Sequence, residues 1–346
     1  GAAWASPRNS EGTMRILVIY GGESGERDVS CATALACAGH LAADGHEVHT
    51  LDAAQPDRVL PFDGSELGTR PGTIAPTPRE MHGEEVLALG RSLLAHAPEL
   101  VYNCLHGGFG EDGRLAALCS LLGLPQSSSP ANAAGISMDK DFSKRLMRRL
   151  DLPTADWCLL RLEPEAGELD GLIERLGLPL VVKPNTLGSS VGITLVGKED
   201  DLPAAVALVR SLNDHPLLER YVPGRELTCA WVCGETLPLV EIRAREGWYD
   251  YQHKYSGGTD YHCPVELPPG VAESITAHTR RLNEFLGCRG ITRTDWRLDP
   301  EGNACCLELN TVPGMTATSL VPKAAAAAGM DFSALLRRHL AGLGPR

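Results

Sequence analysis

The amino-acid sequence predicts an α/β (α+β) chain that opens on a small doubly wound parallel sheet. Three observations predict it. M-R-I-L-V-I-Y, G-G-E-S-G-E-R-D-V-S and C-A-T-A-L-A-C-A-G-H-L read as strand, glycine turn and helix, with H-E-V-H-T-L-D-A as the next strand. The same order recurs through L-V-Y-N-C-L-H and a helix expected after Glu111, and strands that alternate with helices in this way pair in parallel. Farther on, I-T-R-T-D-W-R-L-D and A-C-C-L-E-L-N are strand-like runs flanking the turn sequence D-P-E-G-N, which reads as a hairpin.

Taken in order, residues 1–13 precede the first strand and read as a leader or a cloning remnant. An N-terminal unit, 14–128, carries the parallel sheet. Ligands of such sheets collect beyond the carboxyl ends of strands, where Glu26 and His106 both lie. A central unit, 129–218, begins with a helix over S-M-D-K-D-F-S-K-R-L-M-R-R-L and continues into strands near Cys158 and Val181. A C-terminal unit, 219–346, carries the hairpin and a final helix, and the alanine run at 324–328 reads as helix rather than linker.

Composition narrows the function classes. With 346 residues, 43% of them hydrophobic, the chain is long enough for two or three domains with their own cores. A formal net charge of −12 argues against nucleic acid or an anionic membrane as the main partner. Any phosphate site must therefore be a local cluster of cations. No apolar stretch approaches the roughly 18 residues of a membrane span. The N-terminus shows no secretory signal. The 11 cysteines are scattered, odd in number and often set in apolar runs, which fits a reducing cytoplasm better than a disulfide framework.

The hairpin carries the most chemical information. Residues two apart on a strand share a face, so Glu308 and Asn310 present two oxygen donors together, and the hairpin brings Asp295 beside them. Hard oxygen donors of this kind suit Mg²⁺, which takes one or two carboxylates and completes its shell with nucleotide phosphates. The plain alternative is a solvated hairpin with scattered acids. Lys140 in S-M-D-K, Lys183 in L-V-V-K-P and Lys254 in D-Y-Q-H-K-Y are compact cations suited to phosphate oxygens, or else surface lysines. The loop P-N-T-L-G-S-S-V-G can lay backbone N–H groups and the hydroxyls of Ser189 and Ser190 over phosphates, although it matches neither a Walker loop nor a dinucleotide fingerprint. Glu219 and Glu226 flank the bend at Pro223 and Gly224, where they could accept from an adenine amino group and ribose hydroxyls or serve as ordinary turn carboxylates.

In this order the motifs resemble the ATP-grasp superfamily and, within it, the D-alanine–D-alanine ligase family. The resemblance runs from Met14 to Leu340 through Y-G-G-E-S-G-E-R-D-V-S, L-H-G-G-F-G-E-D-G, S-M-D-K, V-K-P-N-T-L-G-S-S-V-G, Y-D-Y-Q-H-K-Y, R-T-D-W, L-E-L-N-T-V-P-G-M-T and S-L-V-P-K-A-A. It implies an ATP-grasp fold behind the parallel-sheet domain and a homodimer. It also implies an activity: one D-amino acid is activated as an acyl phosphate by ATP and attacked by the amine of a second. By matching motifs, Glu26 holds the first ammonium, and Ser189 and Tyr255 fix the loop carrying Lys254. Lys140 and Lys183 grip the α- and β-phosphates and Lys254 the γ-phosphate. Arg293 and the Gly314 N–H face the developing oxyanion, and Ser319 with Leu320 receives the second carboxylate. Asp295, Glu308 and Asn310 hold two Mg²⁺ ions, with Mn²⁺ as a substitute. Trp248 lies against adenine, Glu219 and Val222 meet its edge, Glu226 meets the ribose, and His106 binds near the substrate or the transferred phosphate.

Two features bear on specificity. Lys254 and Tyr255 are the pair that in ester-forming relatives is replaced by histidine, so an amine is the expected nucleophile. The segment R-L-A-A-L-C-S-L-L-G-L-P-Q-S-S-S-P lacks the glutamine-glycine, glutamate and proline-tyrosine-x-glycine common in the family, which leaves open a specialised paralogue using another amino acid or acid pair. A nucleotide-binding protein without catalysis is a third reading, against which the complete set of cations and metal donors argues.

Overall fold

The computed structural model describes residues 12–68, 79, 81–163, 165, 167–188, 191–244 and 259–344. The first sheet contains β1 (Arg15–Tyr20), β2 (Glu47–Asp52), β3 (Val59–Pro61) and β4 (Leu100–Asn103) in the order β3-β2-β1-β4. β1 pairs in parallel with β2 and with β4. The edge strand β3 is antiparallel to β2, which the sequence pattern did not indicate. Successive β1 side chains enter opposite layers, as strand geometry requires. Ile16 and Val18 pack with Ala34, Cys37 and Leu41 of α1 (Arg27–Ala43). Leu17 and Ile19 pack with Leu89 and Leu93 of α2 (Gly83–His96), and with Leu115 and Cys119 beyond the short α3 (Gly108–Glu111), on α4 (Arg114–Leu121). Helices therefore cover both faces.

The expected helix over S-M-D-K is two helices, α5 (Ala131–Met138) and α6 (Lys140–Arg149). Asp139 breaks them because its side chain accepts the Phe142 N–H as an N-cap and its own backbone is extended. The second sheet follows, with β5 (Trp157–Leu159), β6 (Leu180–Pro184), β7 (Thr194–Val196) and β8 (Pro216–Arg220) in the order β5-β8-β6-β7. Leu180, Val182, Val196 and Leu218 close a core against α7 (Leu172–Leu176) and α8 (Leu202–Ser211).

The third sheet runs β12-β11-β9-β13-β14, with the short β10 (Glu235–Thr236) beside β9. These strands are β9 (Arg225–Val232), β11 (Val240–Ala244), β12 (Thr259–His262), β13 (Ile291–Leu298) and β14 (Ala304–Asn310). On one face Leu227, Trp231, Trp296 and Leu309 bury against α9 (Val271–Leu286) and Met147 of α6. On the other, Val232, Val240 and Ile291 meet α10 (Leu320–Ala327) and α11 (Phe332–Gly342), which also pack on the first sheet. His339 of α11 secures that junction. Its Nε2 donates to the Ser127 carbonyl at 2.9 Å and its Nδ1 accepts from the Tyr102 hydroxyl at 3.0 Å. Burial lowers its pKa to about 4, which keeps the ring neutral as this pair of bonds requires.

Candidate active site

A cavity of about 630 Å³ lies where the three sheets meet. Glu26, His106, Lys140, Lys183, Glu219, Val222, Glu226, Arg293, Asp295, Glu308, Asn310, Gly314, Ser319 and Leu320 all line it. Residues from every part of the sequence thus converge on one hollow. Ser189, Trp248, Lys254 and Tyr255 lie outside the described residues. A second hollow of about 450 Å³ is lined by Arg145, Arg148, Trp157 and Arg175 among others. It holds none of the candidates, and Arg145 and Arg148 are already paired with Asp141 and Asp156.

One end of the cavity is a lattice of buried charge. Lys183 enters from β6 and Glu219 from β8, neighbouring antiparallel strands, and their charges lie 2.8 Å apart. Lys140 opens α6, where its Nζ donates to the Leu187 carbonyl at 2.8 Å and lies 3.7 Å from Glu308. The Lys140 N–H donates to the Asn185 carbonyl, so the helix start is tied to the loop after β6. Burial lowers the pKa of Lys140. Burial opposes charge on Lys183 as well, but Glu219 and Glu308 outweigh it and the pKa rises. Glu219 is the reverse case. Burial would raise its pKa, yet Lys144 and Lys183 hold it low. Val222 and Glu226 lie beside Arg297, whose Nε donates to the Val222 carbonyl at 3.1 Å and whose Nη1 is 3.5 Å from Glu226.

Beside this lattice stands the hairpin of β13 and β14. Asp295 is directly opposite Glu308, and Arg293 is opposite Asn310. A bulge follows, with Leu307 as the unpaired residue, so Cys306 and Leu309 are buried three positions apart instead of two. Arg293 holds Asp295 through two bonds, Nε to Oδ1 at 2.8 Å and Nη2 to Oδ2 at 2.7 Å, and Thr228 donates to the same carboxylate at 2.9 Å. Asn310 Oδ1 accepts from the Val312 N–H at 2.9 Å. Two carboxylates and an amide oxygen on adjacent paired positions fit Mg²⁺ in donor type and number, provided phosphates supply the rest of its shell.

The other end is built from hydroxyls, glycines, the carboxylates of Glu26 and Glu111, and a buried histidine. Glu26 precedes α1 and packs against backbone: a Cβ on Gly107 would lie 3.0 Å, and one on Gly188 2.9 Å, from Glu26 Oε2. Those glycines let the carboxylate and the loop after β6 approach each other. His106 is buried, with Nδ1 3.3 Å from Glu111 and Nε2 3.0 Å from the Thr33 hydroxyl. Burial alone would lower its pKa, but the paired Glu111 reverses the sign. Across the cavity Ser319 stands at the N-cap position of α10 without bonding the helix through its side chain, and its Oγ accepts the Thr316 N–H at 3.0 Å. Gly314 lies so near that a Cβ there would be 3.0 Å from the same oxygen.

Four residues escaped the sequence reading. Glu111 follows His106 by five positions in H-G-G-F-G-E, a spacing that one helical turn after a glycine bend closes. Arg297 is two residues beyond Asp295 and so shares its strand face, a usable signal. Lys323 lies one turn into α10 with its ammonium 5.0 Å over the Tyr261 ring. Lys144, four residues after Lys140, lies on the same side of α6.

Comparison with known proteins places this geometry. The family description "D-ala D-ala ligase N-terminus" matches residues 15–129, and "D-ala D-ala ligase C-terminus" matches residues 146–341. The D-alanine–D-alanine ligase of Gloeobacter violaceus is 37% identical over 327 residues, covering 94% of this chain and 98% of the relative. That of a Synechococcus strain is 38% identical over 329 residues, covering 94% and 92%. Among solved structures, the D-alanine–D-alanine ligase of Bacillus anthracis complexed with ATP superposes with a TM-score of 0.75 at 28% identity, covering 96% of this chain and 97% of that one. The ATP-grasp fold expected from the motifs is therefore the fold observed.

Proposed function

The chain belongs to the D-alanine–D-alanine ligase family, and we propose that it joins two molecules of D-alanine with ATP as phosphoryl donor. The observation that carries this reading is the two-ended cavity, with cations and oxygen donors at one end and small-molecule anchors at the other. A carboxylate is a poor electrophile. Its oxygen attacks the γ-phosphorus, ADP leaves, and the acyl phosphate accepts the amine of the second D-alanine before phosphate departs. Positioning and charge neutralisation supply most of the catalysis in such a sequence.

In our reading Glu26 holds the first ammonium, and Lys140 and Lys183 bind phosphate oxygens. Glu219 and Val222 meet the adenine edge, and Glu226 the ribose. Asp295, Glu308 and Asn310 hold two Mg²⁺ ions, which when bound offset repulsion among the phosphates. Arg293, already fixed by Asp295, faces the developing oxyanion with the Gly314 N–H. Ser319 and Leu320 receive the second carboxylate, and His106, locked between Glu111 and Thr33, shapes the first-substrate side. Ser189, Tyr255, Lys254 and Trp248 keep the roles implied by their motifs.

Relatives bearing the D-alanine–D-alanine ligase name at 36–38% identity do not favour the specialised paralogue. We also assign the protein to the cytoplasm, where its 11 free cysteines would stay reduced; no described helix is long and apolar enough to cross a membrane. A homodimer is supported by exposed Leu87 and Leu94 on one face of α2 and Leu121 on α4. The division at 14–128, 129–218 and 219–346 is supported by one sheet in each unit, β8 (Pro216–Arg220) alone running across the second boundary. The test is ADP release with ATP and Mg²⁺ across D- and L-amino acids and D-lactate, with mass spectrometry of the product. Release that depends on D-alanine and yields its dipeptide is expected. Another required pair would replace this reading.

A further inference from the structure

Lys144 has no place in the reaction as described. It does not line the cavity, and its side chain is fully buried. A buried ammonium is costly unless it is paired and hydrogen-bonded. Here its Nζ lies 3.2 Å from Glu219 Oε2, the same oxygen that Lys183 approaches to 2.8 Å from the cavity side. It also donates to the Thr154 hydroxyl at 2.7 Å, and Thr154 in turn donates to the Cys306 carbonyl of β14 at 2.9 Å. The Trp157 ring lies 5.6 Å beneath it. One carboxylate thus has two cations, one facing the cavity and one sealed behind.

We propose that Lys144 is a positioning residue, the standing counter-ion of Glu219, which keeps that carboxylate charged and aimed when Lys183 turns from it to the nucleotide phosphates. This rests on the assignment of Lys183 to phosphate and Glu219 to adenine. Without a second cation, every ATP molecule that drew Lys183 away would strand a buried carboxylate, and part of the binding energy would be lost to that cost. Because Lys144 stays behind, Lys183 can move at little penalty. The link through Thr154 to β14 also sets the height of the adenine carboxylate relative to the metal strand.

The test is calorimetric binding of a non-hydrolysable ATP analogue with Mg²⁺ to the wild type, Lys144→Met, Glu219→Gln and the double variant. Lys144→Met is expected to weaken binding by about tenfold or more. In the Glu219→Gln background the same change should cost less than about twofold, since no charge remains to strand. KM for ATP should rise far more than kcat falls. Equal losses in both backgrounds, or unchanged binding, would overturn the proposal. If Lys144→Met does not fold, Thr154→Val serves instead. It removes only the hydroxyl that aims the ammonium, and should weaken nucleotide binding several-fold, whereas no change would overturn the proposal. The readout needs no acceptor. A wild type that failed to bind the analogue would overturn the functional reading and this proposal together, while normal wild-type binding with an unaffected Lys144→Met would overturn this proposal alone.

Discussion

The two ends of the cavity are built by different physics. At the end proposed for the nucleotide Lys140, Lys144, Lys183 and Glu219 are buried, Lys144 and Lys183 paired with Glu219 and Lys140 set against Glu308 and the Leu187 carbonyl. At the end proposed for the amino acids the contacts are mostly hydroxyls, backbone and glycine clearances around Glu26, Gly314 and Ser319, with the His106–Glu111 pair as its buried charged element. Charge taken out of water must find partners inside the protein, so the first end is preassembled. On the proposed assignments the second meets a small zwitterion mainly through groups that cost little to leave solvated, the buried His106–Glu111 pair excepted. The difference predicts that substitutions at the first end disturb ATP use and turnover widely, while those at the second act selectively on the amino acids.

The largest effect should come from Glu308→Gln. Making one donor neutral removes metal affinity and leaves Lys140 without its carboxylate 3.7 Å away. We expect kcat/KM to fall by about 1,000-fold or more, with weaker ATP binding. Activity within tenfold of wild type would remove Glu308 from the metal site. Ser319→Ala sharpens the contrast. Acceptor KM should rise by about 30-fold, roughly 2 kcal/mol, with KM for ATP little changed; a parallel rise in both would erase the distinction between the ends.

His106 offers a pH test of the border between them. Its pKa in the folded protein is raised above the ordinary 6.5 because Glu111 outweighs burial. Its charge therefore stabilises the fold fully below that ordinary value and loses the effect as pH rises through the folded pKa. The stability difference between wild type and His106→Gln, from denaturant unfolding, should be larger near pH 5.5 than near pH 9. A difference that grows with pH would mean that the ring is held neutral. The smallest effect is expected from Gly188→Ala, whose Cβ would come within 2.9 Å of Glu26 Oε2. KM for the first D-alanine should rise several-fold, or about 1 kcal/mol, while ATP binding is spared; loss confined to ATP would place Glu26 at the wrong end.

The sequence revealed the parts whose signal is local. M-R-I-L-V-I-Y is apolar at every position but one because both faces of β1 are covered, and Glu308 and Asn310 announce themselves by a spacing of two. Lys183 stands out as a cation at the end of an apolar strand. Lys144 could not be read in this way. S-K-R-L-M-R-R looks like a solvated basic face, and only Thr154 and Trp157 from the stretch just after α6, with Glu219 from the distant β8, make that position interior. The break at Asp139 was hidden for a related reason. A strong helix pattern on both sides concealed a cap whose role depends on an extended backbone at one residue. The antiparallel β3 has three residues, too few to show a period.

The central claim is that a D-alanine carboxylate is phosphorylated by ATP where the two ends of the cavity meet, and that the same carbon is then attacked by the amine of a second D-alanine. Incubating the protein with ATP, Mg²⁺ and D-alanine carrying oxygen-18 in its carboxylate tests it most directly. The account predicts that each phosphate released with the dipeptide carries one labelled oxygen, transferred from the carboxylate as the acyl phosphate forms and breaks. Dipeptide accompanied by unlabelled phosphate would contradict it.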